Sequence, residues 1–184
     1  MKKSCQNAKR QPDATWQMLN IRAQNRTSDL DAICQLNRAA FAEHGETKVF
    51  NQFREHRDDI LSLIADEDGE LLGHVLFSPV TLNTPDGVIT GMGLGQLAVS
   101  PHKQNQGIGT RLAETGIRQL RQTRCPFIIV IGHASYYPRF GFNPGSAHNI
   151  QCQWKAIPDD TFMVLILDQH RQDSLSGVAS FDGL

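Results

Sequence analysis

Apolar and polar residues first fall into a regular pattern at Trp16, where the run to Arg22 alternates and predicts a strand. Thr27 or Ser28 then offers a helix N-cap, and Asp29 and Asp31 suit the positive end of a first turn. Leu30, Ile33, Cys34, Leu36, Asn37 and Phe41 recur at helical spacing and carry that helix to about Ala42. The polar run from Glu43 to Glu46 breaks it. A second helix is predicted from Thr47 to Asp58, with Val49, Phe50 and Phe53 on its buried side. The period then shortens. Leu61 to Asp66 reads as a strand, Asp66 to Glu70 as a hairpin turn containing Asp68-Gly69, and Leu71 to Thr81 as the returning strand. Within it Gly73 marks a bulge or a close approach, and Pro79 has no N–H to give a ladder. Asn83 to Gly87 turns the chain once more, into a strand ending at Val99. Three apolar segments joined by turns predict an antiparallel meander.

The stretch from Gly91 to Thr123 changes character in its middle. Pro101 stops the strand, a polar connection follows, and from Gly107 the apolar positions Ile108, Leu112, Ala113, Ile117 and Leu120 describe an amphipathic helix. Cys125 to Gly132 is a short, continuously apolar run of the kind buried in a parallel pair. Strand, helix and strand therefore predict a right-handed crossover, the one parallel unit the pattern defines. Ser135 to Phe140 is expected to form a short helix closed by Gly141, and Asn143-Pro144-Gly145 a turn. Ile150 to Trp154 and Thr161 to Leu167 are further strands, the second pairing beside the Cys125–Gly132 strand, and Ser176 to Phe181 adds an edge strand. The fold class is α/β: a single domain over residues 15–184, with a mixed, mainly antiparallel twisted sheet flanked by helices in a three-layer α-β-α arrangement. Met1 to Ala14 is polar, contains Pro12 and has no apolar period, so it reads as a flexible extension.

Composition narrows the partners. At 184 residues and 40% hydrophobic content the chain can bury one sizeable core. Its 18 basic and 19 acidic side chains leave a net charge of −1, so neither nucleic acid nor an anionic membrane is expected as a partner. Cys5, Cys34, Cys125 and Cys152 form no C-x-x-C pair, and no secretory h-region follows Met1-Lys2-Lys3. A reducing, cytoplasmic setting is expected. The histidines are scattered and there is no H-E-x-x-H, so no metal is expected either.

The chemistry concentrates at the turn Gln104-x-x-Gly107-x-Gly109. Its glycines let a ligand approach the main chain where a Cβ would collide, and the first helical N–H groups have no partner of their own. With the helix dipole behind them, they suit a phosphate. A dinucleotide-binding G-x-G-x-x-G fits poorly, because it would need Gly or Ala at Leu112 and an acidic residue after the next strand. Ser78-Pro79 and Ser100-Pro101 lack the G-x-S-x-G setting of a nucleophile.

The order Leu97-Ala98-Val99, Pro101, Gln104, Gly107, Gly109 and amphipathic helix resembles the acetyl-coenzyme A loop of the GCN5-related N-acetyltransferases (GNATs). Gly132 to Phe142 resembles a second signature of that superfamily, in which an aromatic residue precedes a Gly-Phe pair. With Phe77-Ser-Pro-Val80 and Leu175-Ser-Gly-Val178, the resemblance covers roughly Trp16 to the C-terminus and is nearest to the YhbS-type bacterial acetyltransferases.

That resemblance implies an enzyme that moves an acetyl group from acetyl-CoA to a primary amine by direct attack in a ternary complex. It implies that the backbone of Leu97, Ala98 and Val99 pairs with the pantetheine, an N–H near Ala98 supporting the oxyanion. The main chain of Gln104, Asn105, Gln106, Gly107, Ile108, Gly109 and Thr110 would hold the pyrophosphate. Tyr137, four residues before Gly141, occupies the place of the tyrosine that meets the sulfur and is the candidate general acid; Tyr136 is one residue out of that register. His133, directly after a strand and four residues before Tyr137, is the second catalytic candidate. Many members carry a glutamate on the strand that here reads Gly95-Gln96-Leu97, so the base stays open among Glu43, Glu46, His44, His74, His102 and His133. Glu43 and Glu46 are also candidates for attracting the acceptor's ammonium. The acceptor is expected to be a small-molecule or peptide amine, and the protein a monomer or homodimer. A coenzyme A-binding sensor without turnover is the alternative.

Overall fold

The meander forms as expected and is the centre of the sheet. In the computed structural model β2 (Leu61–Glu67), β3 (Glu70–Thr84) and β4 (Gly87–Val99) pair antiparallel in succession. The first hairpin turns at Asp68 and Gly69, both left-handed with φ 51° and 85°, the backbone that matches the right-handed twist of the flanking strands. The described residues are 19–25, 27–41 and 59–181. The extension to Ala14, the helix expected over 47–58, and Glu43, His44 and Glu46 all lie outside them.

β1 (Asn20–Ala23) adds to β2, and α1 (Leu30–Ala40) follows it. After β4 come α2 (Ile108–Arg121) and β5 (Phe127–Ile131), which pairs parallel with β4 and completes the crossover. β6 (Asn143–Pro144), β7 (Ile150–Cys152), β8 (Phe162–Ile166) and β9 (Gly177–Ser180) close the chain. The order across the sheet is β1-β2-β3-β4-β5-β8-β6, with β9 lying between the far end of β3 and β7.

α2 packs on one face because its apolar stripe meets the strands' alternation. Ile108, Leu112, Ile117 and Leu120 bury against Leu63, Val75, Phe77 and Ile128. Two glycines set how closely the helix sits. A Cβ on Gly73 would lie 2.8 Å from Leu112 Cδ1 and 2.9 Å from Ile108 Cγ2, and one on Gly116 would overlap the ring of Phe77, which is fully buried. Gly116→Ala is therefore expected to destabilise the fold by about 1–3 kcal/mol, despite alanine's better helix propensity. Urea unfolding measures it, and an unchanged or raised midpoint would mean that the Phe77 ring can yield.

Ile64, His74 and Leu76, of opposite parity, are buried on the other face, where α1 packs over β3 and β4. A second apolar cluster built on Phe127, Ile129, Val164, Ile166 and Leu175 fills the end of the sheet near β9.

Several expectations are corrected. Asp29, not Thr27 or Ser28, stands at the α1 N-cap, and its side chain makes no capping bond. Instead its carboxylate accepts from both Arg22 guanidinium nitrogens at 2.7 and 3.1 Å and from Asn25 N–H at 2.7 Å. These bonds hold the Asp29 carboxyl below its ordinary range, the Arg22 hydrogen bond contributing most. Such a lowered group stabilises the fold fully above its ordinary pKa of 3.8 and loses that contribution as pH falls through its folded value. Asp29→Asn should cost about 1 kcal/mol at neutral pH, modest because Arg22 is partly solvated, and the gap to the parent should close below about pH 4. Parallel melts across that window check it; a gap independent of pH would assign the cost to shape alone.

The remaining corrections concern pairing. Asn143-Pro144 is not a turn but a short strand on β8, and α1 stops at Ala40. The crossover is not the sole parallel unit, since β7 and β9 also run parallel. Ser176 to Phe181 does not form an edge, because β9 has a partner on either side. The first strand runs from Asn20 to Ala23, reaching past Arg22, and 16–18 lie outside the described residues.

Candidate active site

The site begins where β4 leaves β5. The two strands pair only from Met92 to Leu94, opposite Ile128 to Val130. Opposite β3 the register steps from Phe77–Leu94 to Leu76–Gln96, so Gly95 is an extra, bulged residue that bends β4 away at this point. Beyond it no described strand pairs with the β5 side of β4. Ser100 N–H donates to Leu72 O of β3 at 2.9 Å, so by alternation Ala98 also turns its N–H and C=O toward β3. Leu97 and Val99 turn theirs into the opening between the strands. Their side chains line a cleft of about 640 Å³, whereas Ala98 faces the opposite side and is buried.

The phosphate-type turn forms the next wall. Ser100 leads into a 3-10 turn at Pro101–Lys103, Asn105 has φ 59°, and Gly107 caps α2 in the left-handed region at φ 83°. The first bond of the helix is Arg111 N–H to Gly107 O at 3.0 Å, so the N–H groups of Ile108, Gly109 and Thr110 precede its ladder. Gln104, Asn105, Gly107, Ile108, Gly109 and Thr110 all line the cleft, and Lys103 joins them. Gln104 Nε2 donates to Val99 O at 3.2 Å, tying the turn to the end of β4. Gln106 does not line it: its Nε2 reaches His102 O at 3.3 Å and braces the turn from behind.

Opposite the turn stand the aromatics. The expected short helix is a 3-10 turn, Tyr137–Phe140, ended by Gly141 at φ 92°. Tyr137 is buried against Gly132, Tyr136 and Phe142, its ring 5.2 Å from Tyr136 and 5.9 Å from Phe142 with edge-to-face tilts. Burial is the main cause that pushes its phenol up to about 12, the neighbouring Tyr136 adding to it. His133 is exposed at the rim. Tyr136 also lines the cleft, though the sequence register set it aside. Its hydroxyl lies 3.5 Å from Thr110 Oγ1 and would be 3.2 Å from a Cβ on Gly109, so the second glycine makes room for this tyrosine as well as for a ligand. Arg139 stacks on the Tyr136 ring at 4.3 Å and donates through Nε to Tyr136 O at 2.8 Å. Lys103 and Arg139 thus bring two cations to a cleft suited to a polyanion, and nothing in the helical or strand period marked either one.

On the other face of β4 polar groups gather, His74 and Gln96 buried and Ser62 and Gln24 half-buried. Ser62 Oγ donates to Gln24 Oε1 at 2.5 Å and lies 3.0 Å from His74 Nε2. With the serine's proton given to Gln24, the matching role for His74 Nε2 is donor to the Ser62 oxygen. His74 pairs across the sheet with Ala98, so Gln96 is its diagonal neighbour. Gln96 is 4% exposed, and its Oε1 has no hydrogen-bond partner among the described residues.

A sheet split at a bulge, with a helix N-terminus and a buried tyrosine facing the split, defines an α/β protein whose cleft suits a phosphate-bearing co-substrate. The comparisons agree. Residues 20–145 match the model of the acetyltransferase (GNAT) domain, and the chain belongs to that family. It is an acyltransferase, and acetyl-CoA is its co-substrate. The uncharacterized N-acetyltransferase YhbS of Escherichia coli strain K12 is 31% identical over 153 residues, covering 82% of this chain and 87% of that protein. YjhQ, an uncharacterized N-acetyltransferase of the same strain, is 38% identical over 120 residues, 64% of this chain and 66% of that one. The crystal structure of E. coli YhbS in complex with CoA superposes with a TM-score of 0.79 at 27% identity over 89% of both chains. A Brucella melitensis GNAT acetyltransferase in complex with acetyl-CoA gives a TM-score of 0.71 at 29% identity, over 89% of this chain and 95% of that one. Among the described residues no cluster of metal-ligating side chains occurs and no helix is long and apolar enough to cross a membrane.

Proposed function

We propose that this protein transfers an acetyl group from acetyl-CoA to a primary amine, carried by a small molecule or a peptide, by direct attack in a ternary complex. The observation that carries the reading is the meeting, in one cleft, of the unpaired β4 edge, the opening turn of α2 and Tyr137. Leu97 and Val99 offer backbone groups to the pantetheine amides and an N–H to the developing oxyanion. The N–H groups of Ile108, Gly109 and Thr110 hold the pyrophosphate, with Lys103 and Arg139 adding charge.

The amine nitrogen attacks the thioester carbon, the C–S bond breaks, and Tyr137 gives its proton to the departing sulfur. With its phenol raised to about 12, Tyr137 is fully protonated at neutral pH. It acts as a hydrogen-bond donor that tightens as charge develops. The amine approaches from the Gln96 side. There the buried Gln96 carboxamide oxygen, which has no donor among the described residues, suits an acceptor N–H, and the proton that the amine sheds passes to solvent. His133 at the rim and Glu43 and Glu46 contribute to acceptor capture rather than to the bond change.

Thiol release from acetyl-CoA, followed with a panel of polyamines, amino acids and peptide N-termini and matched to product mass, tests the reading. Release that depends on an amine supports it. Tight binding of coenzyme A without release for any amine would leave a coenzyme-binding module instead.

A further inference from the structure

The far end of α2 holds a second cavity that acetyl transfer does not use. It measures about 390 Å³ and is walled by Arg121, Arg124 and Cys125 on one side and by Asp168 and Arg171 on the other. The 14 residues of α2 separate it from the Gly107 turn by roughly 20 Å. Its walls are tied through the backbone, with Leu167 N–H and Asp168 N–H both donating to Pro126 O at 2.9 and 3.1 Å and Cys125 N–H to Thr123 Oγ1 at 3.2 Å.

Arg121 stands in the last turn of α2, where a cation suits the helix dipole, and Arg124 lies beyond that helix. Arg171 occupies the last turn of a different helix. It arrives from a separate 3-10 turn, Gln169–Ser174, and none of the three guanidiniums has an ion-pair partner among the described residues. Two of the carbonyls in the last turn of α2 are already occupied. Gln119 O accepts from Gln122 N–H, and Leu120 O accepts from Thr123 N–H and Thr123 Oγ1. One carboxylate stands among these cations: Asp168 Oδ1 accepts from His170 N–H at 3.1 Å, and Oδ2 has no partner among the described residues. Cys125 Sγ donates to Phe127 O at 3.1 Å and supplies an apolar patch rather than a nucleophile.

We propose that this cavity binds a small phosphate ester that also carries a hydroxyl or ammonium group, the guanidiniums holding the phosphate and Asp168 accepting from the second group. Guanidinium forks match phosphate oxygens bidentately, and the volume exceeds what a bare phosphate fills. The lone acid among arginines gives the ligand a direction.

The test titrates glycerol 3-phosphate and inorganic phosphate into protein already saturated with coenzyme A, so that the Gly107 turn is blocked. Saturable binding of the ester is expected, weakened at least about tenfold in the Arg124→Ala/Arg171→Ala variant. Asp168→Asn should tighten inorganic phosphate while abolishing the ester's advantage over it. As a second readout, the ester should slow alkylation of Cys125 at alkaline pH, read by peptide mass spectrometry, in the parent and not in the double variant. Burial pushes this thiol up, hence the alkaline medium. No saturable heat for either probe up to about 20 mM, or binding that the double variant leaves unchanged, overturns the proposal. Amine acetylation is measured alongside and stands or falls separately.

Discussion

Tyr137→Phe is expected to lower the turnover number by about 10²-fold to 10⁴-fold, the range for losing a positioned acid, while the affinity for acetyl-CoA stays near its parent value. The substitution removes only the hydroxyl. The ring keeps its edge-to-face contacts with Tyr136 and Phe142 and its place against Gly132. The loss should be the same for good and poor acceptors, because the proton goes to the sulfur and not to the amine. A phenol at about 12 also predicts the pH profile. Activity should rise as the acceptor amine deprotonates and show no alkaline fall through about pH 10, since the acid is still protonated there. Tyr136→Phe is the comparison. Its hydroxyl stands near Thr110 Oγ1, so its removal should weaken coenzyme binding a few-fold and leave turnover largely intact. If Tyr136→Phe proves the slower enzyme, the proton comes from the wrong tyrosine in this account; if neither variant slows, water or the acceptor supplies it.

Gly107→Glu should raise the dissociation constant of acetyl-CoA by more than about tenfold, a loss of at least ~1.4 kcal/mol. Two effects act at once and need separating. Gly107 has φ 83°, where a side chain costs roughly 1–2 kcal/mol of backbone strain, and the added carboxylate would repel a pyrophosphate bound at this turn. Gly107→Asn isolates the strain, since asparagine tolerates this conformation and carries no charge. Calorimetry on both folded variants is the measurement. A strong loss for Glu with a small one for Asn supports pyrophosphate at this turn, equal losses assign the effect to backbone geometry, and normal binding by Glu removes the turn from the site.

Sequence by itself determined the elements whose signals are local. The Asp68-Gly69 hairpin, the strand ending before Pro101, the glycine-opened helix and the apolar run of β5 were legible because each rests on a backbone preference or a period confined to neighbouring residues. The same locality made the glycine turn from Gln104 to Thr110 legible, whereas Tyr137 was singled out by the family resemblance through its offset to Gly141. Only the tertiary structure decided what depends on register between distant segments. The bulge at Gly95 sets where β4 parts from β5, and therefore that Leu97 and Val99, not Ala98, present N–H groups to the cleft. The tertiary structure also brings Tyr136, Lys103 and Arg139 to the same cleft, and leaves the Gln96 carboxamide oxygen buried without a donor among the described residues. It places β9 between β3 and β7, and Arg171 beside the end of α2. A one-residue step in a ladder reverses which side of a strand offers its hydrogen bonds, and no count of apolar residues records that step.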